Sequence, residues 1–302
     1  MTAEAAEPSV PSRSAVARFA QKRPLTLFFI LAYAWAWSGW ILMARIVPDG
    51  NVSPRYEMFL ENLFMMSAFG PTVAALATQW LGHRNLKICK FWTGWRGLIQ
   101  GLAFGLSAFA IVTIIAPTRA MVQAPLSAWH WSTLLHVSTY GINISTFFGG
   151  PVNEEPGWRG FALPRLQERY GPVGATLILA PLWAGWHAPL FWMEGWTSAT
   201  PWEFLLILVG ITFLFTAAAN ISKFNVLVAM VLHGFFNTSS LLGNTLSHNV
   251  LPRRPHEMVI YTFVVLITGA AIGIVALLMT GNLGTKRDEN AAGSGTGLLA
   301  SG

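Results

Sequence analysis

Residues 153–161 read Asn153-Glu154-Glu155-Pro156-Gly157-Trp158-Arg159-Gly160-Phe161. Two adjacent carboxylates and an arginine stand just past the end of one long apolar run, Ser132 to Gly149, and ahead of another that begins at Val173. The group is conspicuous because the chain carries little charge. Of its 302 residues 53% are hydrophobic and only 11% charged, against roughly 25% charged in an average soluble domain. Long apolar runs recur on both sides, which implies an all-α, polytopic transmembrane helical bundle, since a membrane-spanning helix satisfies all its own backbone polar groups in lipid.

If the segment after Pro156 is helical, Glu155 and Arg159 lie four residues apart on one face, and Glu154 points elsewhere, available for chemistry. The structural alternative is a helix entrance with acidic residues and Pro in the first turn and a surface ion pair. The residues further along decide how much weight the pair carries.

About eight spans are expected: Pro24 to Ile46, Phe59 to Leu81, Leu98 to Ala116, Ser132 to Gly149, Val173 to Met193, Trp202 to Ala219, Asn225 to Leu242 and Met258 to Thr280. The second has Gly70-Pro71 midway, and the third carries Gly101 and Gly105 at a spacing that permits close helix packing. Residues 154–170 are too polar to span. They read as a short amphipathic or re-entrant helix after the fourth span, closed by Tyr170-Gly171-Pro172. Residues 1–21 and 282–302 read as disordered tails, leaving residues 22–281 as one membrane-embedded domain. The first apolar run is too long for a signal-peptide core and has no Ala-x-Ala after it.

With the amino terminus cytoplasmic, 14 of the 19 basic residues fall on the cytoplasmic side. Both termini, and the Glu154-Glu155 pair, are therefore expected there. The net charge of +6 follows from this loop asymmetry and calls for no nucleic-acid partner; the bilayer is the partner implied. The single cysteine, Cys89, rules out an intramolecular disulfide.

Strongly polar groups inside a span are costly and often functional. Besides Glu154, the residues that qualify are His187, in Leu182-Trp183-Ala184-Gly185-Trp186-His187-Ala188-Pro189, and His233 and Asn237, four apart on one helix face. His136 and Glu61 suit a helix–helix hydrogen bond. Together the four supply what amide hydrolysis needs. A carboxylate takes a proton from water, and an imidazole orients that water or passes a proton to the leaving amine. A second imidazole and a carboxamide donate to the developing oxyanion. Arg159 holds the acidic region through Glu155.

Other hydrolase chemistries lack their residues. His256-Glu257-Met258-Val259-Ile260 lacks the second histidine of a His-Glu-x-x-His helix, the only aspartates are Asp49 and Asp288, outside the spans, and Ser145 and Ser239 sit in no nucleophile elbow. Cys89 lies in a loop. Glutamate is the carboxylate that remains.

Glu154-Glu155-x-x-x-Arg159-Gly160, then Trp183-x-x-x-His187, then His233-x-x-x-Asn237, resembles the three-motif signature of the CPBP family. These are the CAAX-prenyl-protease and bacteriocin-processing intramembrane endopeptidases, also called the Abi family. The resemblance covers roughly residues 145–240. It departs at Trp183, where the second motif commonly has Phe. It implies a conical helical bundle with the active site inside the membrane, open to the cytosol. It also implies that Glu154 and His187 activate a water, that His233 and Asn237 form the oxyanion hole, and that Glu155 and Arg159 support them. No cofactor is expected. The alternative mechanism is a zinc metalloprotease with Glu154, His187 and His233 as ligands; Asn is a poor zinc ligand and a good oxyanion donor. The substrate expected is a membrane-associated peptide or protein, prenylated at its carboxyl end or bacteriocin-like. Trp158, Trp183, Trp186 and Trp192 would suit a lipidated or apolar peptide, or serve equally as interface anchors and core. The competing functional class is a non-proteolytic membrane scaffold or immunity protein, and a transporter with a proton path is the third. The short-loop architecture points to a bacterial plasma membrane.

Overall fold

The structure, a computed structural model, describes residues 14–46, 54–115, 150–193, 196–247 and 255–281. The expected fourth span, with His136 and Ser145, falls outside them, as do residues 1–13 and 282–302 of the expected tails. The described residues are helical, apart from turns and one isolated bridge between Lys90 and Asn225.

The helices are α1 (Ala15–Lys22), α2 (Pro24–Ile46), α3 (Pro54–Ala68), α4 (Gly70–His83), α5 (Trp95–Ile115) and α6 (Pro151–Glu155). A π-helical turn, Pro156–Ala162, runs directly into α7 (Leu163–Trp186), and a 3-10 turn, Ala188–Trp192, follows. The chain then forms α8 (Pro201–Ile221), α9 (Val226–Ser247) and α10 (Pro255–Met279).

α1 lies within the stretch expected to be a disordered tail. Ser14 caps it, its hydroxyl accepting from the Ala17 amide at 3.2 Å. Ala17 and Ala20 are buried, and the Gln21 amide donates to the Gly82 carbonyl at the end of α4. A polar stretch thus helps seal the bundle through a narrow alanine face.

The first expected span is α2, with the same bounds. The second is a broken pair, α3 and α4, bent by 45°. Pro71 sits in the first turn of α4, where a missing N–H costs nothing. α5 packs on α9 through Gly101 and Gly105: a Cβ on these would lie 3.2 Å from Val228 Cγ1 and 2.4 Å from Leu232 Cδ1. That is the close approach the glycine spacing allows.

α8 is the axis of the molecule. In its apolar window 67% of residues are buried, against 28% for α2 and α10. The outer helices present Ile30 and Leu42 on α2, Ile99 on α5 and Ile260 and Ile267 on α10 to their surroundings. Apolar faces of this extent belong in lipid. Thr200 and Glu203 start α8 with a reciprocal capping box, which explains a buried glutamate at the mouth of an apolar helix.

Among the described residues four single helices are long and apolar enough to cross a membrane, or five if the bent pair counts as one span. The fifth expected span is corrected. α7 breaks at Gly171, at φ 65° and ψ 173°, and its helix stops at Trp186 rather than Met193. From Pro172 to Trp186 it rises only about 22 Å, short of the roughly 30 Å hydrocarbon core. The seventh expected span falls on α9, whose apolar part among the described residues runs over Val226–Asn237. The turn at Gly171 falls where Tyr170-Gly171-Pro172 was expected to close the short helix. The stretch before it does not lie on the surface, however: residues 153–163 are all buried.

Candidate active site

Pro156 has no N–H, so the α-ladder cannot continue unbroken past α6. The chain widens into a π-turn, and the Leu163 amide reaches back to the Trp158 carbonyl. Such turns recur at functional sites. Gly157 and Gly160 let neighbours close on this turn. A Cβ at Gly157 would lie 2.4 Å from the Pro71 carbonyl, and one at Gly160 would lie 2.4 Å from Cys89 Cβ. The motif's glycines are therefore contact points with α4 and with the loop before α5.

The two carboxylates diverge. Glu155 is fully buried and its Oε1 takes the Arg159 guanidinium at 2.9 Å and His233 Nδ1 at 2.8 Å. Arg159, 2% exposed, lies between two rings, 4.0 Å from the Trp183 centroid and 4.2 Å from that of Phe215. Removing one partner of such a buried set leaves an uncompensated charge. The expected Glu155–Arg159 pair is thus present, but it is buried structure rather than a surface ion pair, and it includes His233.

Glu154 faces a different environment. Its Oε2 accepts from the indole N–H of Trp183 at 2.7 Å and of Trp158 at 3.2 Å. Among the described residues no hydrogen bond engages Oε1, and Glu154 lines a cavity of about 240 Å³. His187, His233 and Asn237 line the same cavity, with Trp40, Trp196, Phe204 and Phe236 among the rest. The four residues picked from the sequence therefore converge from α6, the end of α7 and α9.

His187 caps the end of α7, between that helix and the 3-10 turn. Its Nδ1 lies 2.8 Å from the Trp183 carbonyl. A carbonyl only accepts, so Nδ1 carries the proton and Nε2 has the free lone pair. Its ring stacks on Trp40 at 6.3 Å and on Trp196 at 5.7 Å between centroids. The end of α7 is pinned to α2: Trp37 Nε1 donates to the Trp186 carbonyl at 2.9 Å, and Trp186 Nε1 to the Ala32 carbonyl at 3.2 Å.

His233 Nδ1 faces the Glu155 carboxylate, so Nδ1 donates and Nε2 is left for the cavity. Gly150 shows where that nitrogen and the Asn237 amide point. A Cβ built on Gly150 would lie 3.1 Å from His233 Nε2 and 3.0 Å from Asn237 Nδ2. Two nitrogens thus flank one space kept open by a missing side chain, at the spacing an oxygen acceptor requires.

Sequence reading missed Gly150, Trp40 and Trp196, and it did not see that Trp158 and Trp183 are hydrogen-bond donors. The only available signal was the four-residue step from Glu154 to Trp158. Trp192, grouped with these tryptophans in sequence, is 65% exposed and does not line the cavity. Among the described residues no three His, Cys, Asp or Glu side chains come together as a metal-binding group. Glu154, His187 and His233 share a cavity without forming a zinc-like ligand set.

Cys89 sits in the loop between α4 and α5, where burial pushes its thiol up to about 11. That loop straps the α8–α9 turn. The Lys90 carbonyl accepts from the Val226 amide at 2.9 Å, and Thr93 donates to the Ser222 carbonyl at 2.8 Å.

Residues 136–239 match the model of a family described as type II CAAX prenyl endopeptidase, Rce1-like. Over this core, about a third of its length, the chain is similar to that family. The match contains all three motifs and every residue of the constellation. The family so described is one of endopeptidases. No curated protein matches the sequence.

Proposed function

We propose that the protein is an intramembrane glutamate-dependent endopeptidase acting on a membrane-associated peptide or protein. The observation that carries this reading is the convergence of Glu154, His187, His233 and Asn237 on one cavity. The scissile carbonyl enters the space beside Gly150 and takes hydrogen bonds from Asn237 Nδ2 and His233 Nε2. Glu154 Oε1 removes a proton from a water that His187 Nε2 helps to hold, and the water oxygen attacks the carbonyl carbon. The negative charge that develops on the carbonyl oxygen is met by the two donors. His233 donates from Nε2 when its ring carries both protons, with Glu155 as the counter-ion. On collapse the C–N bond breaks and the proton held by Glu154 passes to the leaving amine.

The apolar, ring-lined cavity suits a lipidated or hydrophobic peptide, and the family match favours a prenylated carboxyl-terminal substrate of the CAAX type. We place both termini on the cytoplasmic face of a bacterial plasma membrane, following the loop charge. We favour the metal-free route, because Asn237 is a poor zinc ligand and a good oxyanion donor. The test is cleavage of quenched fluorescent peptides, prenylated and not, by wild type and Glu154→Gln in detergent, with and without chelator. Cleavage confined to wild type and indifferent to chelator is expected. Cleavage by Glu154→Gln overturns the mechanism, and loss on chelation reassigns the cavity residues to a metal. A Glu154→Gln protein that cannot cleave yet restores function in cells makes the protein a scaffold.

A further inference from the structure

Among the described residues Glu154 is gripped by one oxygen only. Trp183 and Trp158 both direct their indole N–H groups at Oε2, at 2.7 and 3.2 Å, filling both lone pairs of that oxygen. Neither indole is free to swing away. Trp158 is fully buried, edge-on to Phe28 at 5.4 Å and to Trp186 at 5.7 Å. Trp183 is 1% exposed and lies edge-on to Phe215 at 6.0 Å and to His233 at 5.6 Å. The Arg159 guanidinium rests 4.0 Å from the Trp183 ring centroid. A cation on an indole face withdraws electron density from the ring, so its N–H becomes a stronger donor to the carboxylate. The charge of Arg159 thereby reaches Glu154 without touching it.

We propose that Trp158 and Trp183 are positioning residues that clamp Oε2 of Glu154, so that Oε1 alone is presented to the cavity as the base, and that Arg159 reinforces the clamp through the Trp183 ring. This rests on the endopeptidase reading of the cavity. It gives Trp183 a task that a phenylalanine there could not perform, because phenylalanine keeps the ring and lacks the donor. Trp158 is the more diagnostic of the two, since it does not line the cavity and has no access to substrate.

The experiment has a substrate-free arm and a kinetic arm. Indole 15N–1H spectra of the full chain in micelles, assigned with Trp158→Phe and Trp183→Phe, are compared between wild type and Glu154→Ala. The two assigned signals are expected to move upfield in Glu154→Ala, while the other indoles hold. In the kinetic arm Trp183→Phe is expected to lose on the order of tenfold to a hundredfold in kcat, the scale of a hydrogen bond to a charged group. Trp158→Phe, with the longer bond, should lose less, at unchanged KM, with a lower melting temperature from the smaller buried ring but a folded protein at the assay temperature. Indole signals that ignore Glu154→Ala overturn the clamp. Signals that move while both Phe variants keep wild-type kcat overturn its catalytic role. An absence of cleavage by wild type itself fails the endopeptidase reading and the catalytic use of the clamp with it, and the spectra alone then decide whether Glu154 is held.

Discussion

Replacing Gly150 with alanine tests the oxyanion site at its narrowest point. The added methyl would sit 3.0 Å from Asn237 Nδ2 and 3.1 Å from His233 Nε2, beside the space the carbonyl oxygen must enter. A few tenths of an ångström of movement in the Asn237 amide relieves the contact. That movement misaligns the donors or leaves the methyl in the oxygen's place. Loss of one oxyanion donor costs about 2.7–4 kcal/mol of transition-state stabilisation. At 1.36 kcal/mol per tenfold, that is roughly a hundredfold to a thousandfold in kcat. The assay is steady-state cleavage of a fluorescent peptide by wild type and Gly150→Ala, with thermal unfolding in detergent as the control. The expected result is a fall of that size in kcat with the melting temperature held. Wild-type kcat in a folded Gly150→Ala would show that the oxyanion forms elsewhere, and the assignment of His233 and Asn237 would go with it.

Two further outcomes follow from the divided carboxylates and the strapped loop. Glu155→Ala leaves both Arg159 and His233 buried without their acid and is expected to cost about 3–5 kcal/mol of stability; thermal unfolding should show this loss, whereas Glu154→Gln should unfold near wild type. Cys89, held near 11 by burial, becomes thiolate only as pH rises toward that value. Its alkylation by iodoacetamide, followed by mass spectrometry, should therefore keep rising about tenfold per pH unit past pH 9, and a plateau near the ordinary thiol value of about 8.5 would refute the burial argument.

How much was legible beforehand depends on whether a feature is local. Glu155 and Arg159 are four apart, so their pairing could be read directly. His233 and Asn237 share a helix face for the same reason, and Gly101 and Gly105 marked α5 for close packing without naming its partner. The membrane class followed from composition because apolar runs have no other stable use. What stayed hidden is tertiary. Nothing in Trp183 says that its N–H meets Glu154 from 29 residues away in sequence. Gly150 resembles any loop glycine until His233 and Asn237 are placed against it. The length of α7 was misjudged because Pro181 and Pro189 stand in an apolar run. Hydropathy continues through such a run after the helix has stopped at Trp186. α1 was read as a tail because its polar face hides two buried alanines.

Two adjacent carboxylates in an apolar interior would ordinarily repel and be driven to share a proton. Here the turn at Pro156 sends them to different partners. Glu155 is matched by the Arg159 guanidinium and the His233 imidazole, which hold it as structure. Glu154 receives only neutral indole N–H groups on one oxygen and keeps the other for the cavity. A carboxylate matched by a full cation would be a weak base, because the ion pair favours its deprotonated form. A carboxylate with no donor at all would be too costly to ionise in that interior. The indole clamp lies between these limits: it fixes the orientation of Glu154 and partly offsets its burial without pairing away its charge. The division of labour within Glu154-Glu155 therefore follows from which donors the fold delivers to each acid, and Arg159 takes part in both, directly at Glu155 and through the Trp183 ring at Glu154.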